Sequence, residues 1–283
     1  MGRTLSFVVV PEWQASGSAR AMRLADGAHA IAGDLPSART ALVEVPAEAG
    51  DALGSGVERL STLQDVATRQ LEAVAAAPGI PVSIGGDGGV GRTAAAASIA
   101  DADCALLWLS AHASLGSPGI GRPAPFEGMV LSTLLGDGPS PLAPATPLSP
   151  RMLVLAGVRD LAEGQEETVA RRGPRLLPAP TDADDAGWPG LVADAVEATG
   201  ASRVHLHLDL DVHDPADFAS TATPEPFGPS ATTVLATVRA VLDRLPLAGA
   251  AITGFSPATP EDLAGDLAVI LRLIGALAAG GAR

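Results

Sequence analysis

The chain has 283 residues, 47% of them hydrophobic, and a formal charge of −14 from 32 acidic and 18 basic side chains. All the basic residues are Arg, and Lys, Tyr and Asn do not occur. So acidic a chain, with no basic run, excludes a nucleic-acid partner, because affinity there depends on neutralising phosphates; a small molecule is the partner to expect.

In chain order, short β-rich runs alternate with longer segments of helical period. Strands are predicted over Leu5 to Val10, Ala41 to Val45, Pro81 to Ile84, Cys104 to Leu109, Met152 to Ala156, Arg175 to Leu177, Arg203 to Asp211 and Ala250 to Phe255. Helices are predicted around Gly56 to Ala77, Gly89 to Ala100, Gly187 to Thr199, Ser230 to Leu245 and Pro260 to Ala279. This alternation implies a three-layer α/β/α protein, with a mostly parallel sheet of about eight strands that are almost wholly apolar. No Ser/Gly linker or charge block divides residues 1–283, so a single domain is expected, with the Pro-rich stretch Asp137 to Pro150 as a loop. The acidic stretch Asp182 to Asp185 reads as a solvated loop, and His29 carries no signal.

The lone Cys104 sits in the apolar run Cys-Ala-Leu-Leu-Trp-Leu and reads as a core residue. The apolar run near the N-terminus is too short for a secretion signal, and no stretch of about 18 apolar residues is uninterrupted, so no membrane span and a cytoplasmic location are expected.

One strand breaks the apolar rule. His205 to Asp214, HLHLDLDVHD, alternates aliphatic residues with His205, His207, Asp209, Asp211 and His213, which share one face if the strand runs through them. An edge strand with one wet face would account for this. Yet every polar group on that face binds protons or cations, and Asp209 and Asp211, one pleat repeat apart, repel each other unless a cation or proton lies between them.

These residues carry a family resemblance. HLDLDVHDP resembles the S/H-x-D-x-D-x-x-D-P signature of the ureohydrolases, the family of arginase, agmatinase and formiminoglutamase. IGGDGGV (Ile84 to Val90) resembles their GGDH or GGDC segment, and LWLSAHASLGSP (Leu107 to Pro118) their W-x-D-A-H-x-D strand end. FEGMVLSTLLG (Phe126 to Gly136) is similar to F-H-G-M-x-L-x-x-L-L-G, LAGVRD (Leu155 to Asp160) to the G-x-R-x-x-D region, TATPEPFG (Thr221 to Gly228) to G-x-G-T-P-x-P-G-G, and TGFSP (Thr253 to Pro257) to T-E-F-x-P. WQASGSARAMRLADGAHAIAGDLP near the N-terminus resembles an actinobacterial branch.

The resemblance implies an arginase-like fold, trimeric or hexameric assembly, and hydrolysis of a guanidino or amidino C–N bond by a hydroxide shared between two Mn²⁺ ions held by four Asp and two His. Carried across residue by residue, that ligand set is half absent. The His or Cys of GGDH is Gly88, and the two Asp of D-A-H-x-D are Ser110 and Ser114, while His112, Asp209 and Asp211 remain. The His of F-H-G-M is Glu127, and the Glu that pairs with the guanidinium is Gly254.

A two-metal cluster is therefore not expected, and His112, Asp209 and Asp211 can hold at most one Mn²⁺ or Zn²⁺. Asp87, Ser110, Ser114 and Gly254 become cleft positions for a small molecule. Glu127 and His213 are candidate catalytic groups, although a solvated Glu at a helix N-terminus and a hydrogen-bonded structural His explain them as well. The main expectation is a family member without arginase or agmatinase activity that keeps its cleft for a small molecule or a partner subunit, either a homo-oligomer or assembled with a homologue. The alternative is a single-metal amide or amidine hydrolase using His112, Asp209 and Asp211.

Overall fold

A computed structural model describes residues 4–101, 103–161, 164–181 and 185–281, so Asp182 to Asp184 of the acidic stretch lie outside the described residues. The strands are β1 (Leu5–Val9), β2 (Thr40–Leu42), β3 (Ile80–Ile84), β4 (Cys104–Leu109), β5 (Leu153–Val158), β6 (Arg175–Pro178), β7 (Arg203–Asp209) and β8 (Leu247–Thr253). They form one sheet in the order β2-β1-β3-β8-β7-β4-β5-β6, with every neighbouring pair parallel. The helices are α1 (Arg23–Gly33), α2 (Leu60–Ala76), α3 (Gly88–Ile99), α4 (Val130–Leu134), α5 (Gln165–Arg172), α6 (Trp188–Glu197), α7 (Ala231–Leu242) and α8 (Pro260–Gly281).

Alternation along each strand separates two cores. Phe7, Val9, Leu107, Leu206 and Leu208 face α1, α6, α7 and α8, whereas Val8, Val10, Leu106 and Trp108 face α2, α3 and α4. Helix α8 is apolar and long enough to cross a membrane by length and composition; it packs on α7, α1 and β8 as part of the outer layer, burying Ile270, Leu273 and Leu277.

Strand β7 lies in the interior of the sheet between β8 and β4, which overturns the edge-strand account of its polar face. His205 and His207 point under α3 and are almost fully buried. His205 Nδ1 is 2.8 Å from Ser98 Oγ, and the His207 ring stacks on Trp108 with centroids 3.4 Å apart. The helix can lie this close because residue 91 is Gly, where a Cβ would stand 2.1 Å from His207 Cε1. Burial holds both imidazoles neutral, pushing His205 down to about 3 and His207 well below its usual value.

The strand ends at Asp209, two residues earlier than expected. Asp209 Oδ1 accepts from Asp211 N at 3.2 Å and turns Leu210–Val212 into a short 3₁₀ segment. From there the alternation no longer applies, with consequences for His213.

Candidate functional site

A cavity of about 220 Å³ opens at the carboxyl ends of β3, β4, β7 and β8, where open parallel sheets place their ligands. It is lined by Asp87, Ser110, His112, Ser114, Glu127, Asp209, Asp211 and Gly254, which gathers nearly every site position expected from the sequence. The exception is His213. It is not among the lining residues: its Nδ1 lies 3.0 Å from Leu210 O and its ring stacks on Phe218 at 5.0 Å, because the 3₁₀ turn sends it into the core. The catalytic role expected for His213 is not supported by this placement.

At the floor of the cavity Asp211 is held from several sides. Its Oδ1 accepts from Ala111 N at 2.9 Å, and its Oδ2 accepts from Ser110 Oγ at 3.2 Å and lies 2.6 Å from His112 Nδ1. Ser110 Oγ also accepts from His112 N at 3.1 Å. Asp209 Oδ2 accepts from Thr253 Oγ1 at 3.2 Å. Asp87 caps α3 by accepting from Gly89 N at 2.8 Å, while its buried Oδ2 has no hydrogen-bond partner. Glu127 accepts from Gly17 N at 2.7 Å, so this carboxylate also ties down the loop before α1.

The electrostatics follow from burial of so many acids. Burial pushes the Asp209 carboxyl well up, with Asp211 repelling it further, and burial does the same to Asp87, aided by Glu12 and Glu127. Burial also raises Glu127. For His112 burial acts downwards, but the hydrogen bond and charge of Asp211, with Asp209 and Asp160 beyond it, outweigh this and raise the imidazole to about 9.

The trio expected to hold an ion, His112, Asp209 and Asp211, therefore shares one wall, with His112 Nδ1 2.6 Å from Asp211 Oδ2. Among the described residues, the His, Asp and Glu side chains whose donor atoms converge within 4.8 Å in a group of three are His112, Asp160 and Glu225. His112 Nε2 is 3.7 Å from Asp160 Oδ2 and 3.8 Å from Glu225 Oε1. Sequence reasoning did not select Asp160 or Glu225. The available signal was that each is a carboxylate in a segment already matched to the family, Glu225 at the variable position of T-P-x-P.

Arg159 positions that second wall. Its guanidinium donates to the carbonyls of Gly157, Asp211, Val212, His213, Glu225 and Pro226, joining the turn after β7 to the loop that carries Glu225.

The sequence model of the arginase family matches residues 19–272. The chain belongs to the arginase family. Among its relatives, the arginase of Staphylococcus aureus is 28% identical over 149 residues, covering 50% of this chain and 49% of that protein. The N(omega)-hydroxy-L-arginine amidinohydrolase of Streptomyces lavendulae is 30% identical over 179 residues, covering 61% and 59%. The chain thus spans about half the length of the curated relatives it matches. In three dimensions it is similar to Entamoeba histolytica arginase, solved with L-ornithine, at a TM-score of 0.84 and 17% identity over 98% of both chains. Proclavaminate amidino hydrolase of Streptomyces clavuligerus follows at 0.75 and 20%, over 100% of this chain and 93% of that one. This arginase-family chain has the family's three-layer fold around an eight-stranded parallel sheet. At the six positions expected from the sequence to face a metal, the cleft presents Gly88, Ser110, His112, Ser114, Asp209 and Asp211.

Proposed function

We propose that this arginase-family protein has no dinuclear manganese centre, does not hydrolyse arginine or agmatine, and uses the inherited cleft to bind a small molecule. The observation that carries the reading is the lining of the cleft, where Gly88, Ser110 and Ser114 supply neither carboxylate nor imidazole and Ser110 Oγ donates to Asp211 at 3.2 Å. Two dications a few ångströms apart need several anionic donors, and such a site keeps too few of them. The guanidinium-pairing position supports the same reading, since Gly254 removes a charge-assisted hydrogen bond worth roughly 1.5–3 kcal/mol. What remains is a cleft of about 220 Å³ with an acidic wall, suited to a small ligand that donates hydrogen bonds or carries positive charge. A cytoplasmic homo-oligomer, or assembly with a homologue, belongs to this proposal and rests on the family resemblance.

The test is urea release from arginine and from agmatine after saturation with Mn²⁺. No release above the protein-free rate is expected, and sustained turnover of either substrate would overturn the proposal.

A further inference from the structure

We propose that the mouth of the cleft is a single-ion site of a kind the family pattern does not contain, in which His112 Nε2, Asp160 and Glu225 bind one divalent first-row transition ion. The inference rests on the reading that the two-ion centre is gone, because there His112 would spend its coordinating nitrogen elsewhere.

The three donors come from loops brought together by the fold. His112 and Asp160 are paired in a parallel bridge just beyond β4 and β5, and Glu225 is presented by the loop that Arg159 anchors through Glu225 O at 2.7 Å. The separations of 3.7 and 3.8 Å from His112 Nε2 are too long for hydrogen bonds, so the three donors face one another without closing on each other. With metal–ligand bonds of about 2.0–2.2 Å, the ligands of a tetrahedral ion stand roughly 3.3–3.6 Å apart, so closure requires shifts of only a few tenths of an ångström.

The outer partners of such a site are already in place. His112 Nδ1 is held by the Asp211 carboxylate, the arrangement that orients a ligating imidazole and raises its basicity. Asp211 is fixed in turn by Ala111 N and Ser110 Oγ. Ser110 thus has a role that the aspartate of the family pattern could not fill, because a second carboxylate there would repel Asp211 rather than donate to it.

Two further features point to an occupant. Asp87 lines the same cavity, only 3% of the residue is exposed, and its buried Oδ2 has no hydrogen-bond partner; such an atom calls for a partner that the protein itself does not supply. In addition, half of the Asp160 side chain and a third of Glu225 are exposed, so an ion there keeps positions open to solvent and to whatever enters the cleft. Three protein ligands with an open position is the coordination of ions that act on bound molecules rather than of structural ions. One imidazole with two carboxylates suits the range from Mn²⁺ to Zn²⁺.

The experiment is titration of the metal-stripped full chain with ZnCl₂ by calorimetry, with metal content after gel filtration, and with CoCl₂ as a visible-spectrum probe. One equivalent is expected, weakened at least tenfold by Glu225→Gln and by Asp160→Asn and 10- to 100-fold by Asp211→Asn, with circular dichroism confirming that each variant is folded. Less than a tenth of an equivalent, or one equivalent that Glu225→Gln leaves unchanged, overturns the inference and leaves the proposed function intact. Two equivalents, both lost in Asp209→Asn, would instead overturn the proposed function itself.

Discussion

Gly254 stands where the ureohydrolase pattern has the glutamate that pairs with a guanidinium, and restoring that glutamate asks whether the position is simply vacant. The residue has φ +87°, a conformation that costs an L-residue roughly 1–2 kcal/mol. A Cβ there would lie 2.5 Å from Asp209 Oδ1, closer than any real Cβ contact, so Asp209 must rotate. Rotation gives up the hydrogen bond from Asp211 N or from Thr253 Oγ1, at about 1–3 kcal/mol for a buried acceptor. Gly254→Ala is therefore expected to cost about 3 kcal/mol, and Gly254→Glu more, because it adds a second carboxyl beside a buried one. At roughly 2–4 °C per kcal/mol for a chain of this size, that is a fall of about 6–12 °C in Tm. Urea unfolding followed by circular dichroism, with thermal melts of both variants, measures it. If either variant lies within about 0.5 kcal/mol of the parent, or if Gly254→Glu alone gains affinity for guanidinium compounds with no loss of stability, the reasoning is wrong.

Two other perturbations read the surroundings of the site. Glu12 is almost fully buried, and burial, opposed by the charge of Arg92, raises its carboxyl to about 8. Since the folded value exceeds the unfolded 4.5, the folded state holds the extra proton between the two, so the contribution of Glu12 to stability is full below about pH 5 and is lost as pH rises to about 8, by up to about 5 kcal/mol. Glu12→Gln should flatten urea stability across that window and be the more stable form at pH 8, and an unchanged slope would rule out Glu12 as its source. Arg159 donates to six backbone carbonyls with a fork that an ammonium cannot reproduce. Arg159→Lys is expected to cost at least about 2 kcal/mol and to speed amide hydrogen exchange in 210–214 and 224–228; a loss below about 0.5 kcal/mol would show that the two loops hold together without it.

Period and composition made the sheet legible. All eight strands lie where apolar runs predicted them, and the five long helices begin and end within a few residues of their expected bounds. Three helices escaped for local reasons: α1 has no side-chain cap and carries Gly27 within it, α4 is only five residues long, and α5 is a short polar helix with no buried residue. In the site the same alternation succeeded up to Asp209 and failed beyond it. His205, His207 and Asp209 do share a face, but the Asp209 side chain ends the strand that the pattern was being read along, and His213 turns into the core. Glu225 could not be read at all, since a loop residue has no period and its meeting with His112 depends on Arg159, more than fifty residues away in sequence, joining its loop to the turn after β7.

The residues at the expected ligand positions bear on whether the cleft decayed or was rebuilt. Relaxed selection removes side chains without regard to their neighbours. Here Ser110 both donates to Asp211 and accepts from His112 N, and the space beside Gly254 is taken by Asp209 Oδ1. The acids that remain are offset without two dications: burial raises Asp209 and Asp87 towards their neutral forms, and Asp211 Oδ2 is hydrogen-bonded to His112 Nδ1. Ser110 and Gly254 are both smaller and less negative than what the family pattern carries, and each fits the groups beside it. Such mutual fit favours a rebuilt cleft over a ruined one, and it places the free coordinating atoms at the mouth, on His112 Nε2, Asp160 and Glu225, rather than on the floor.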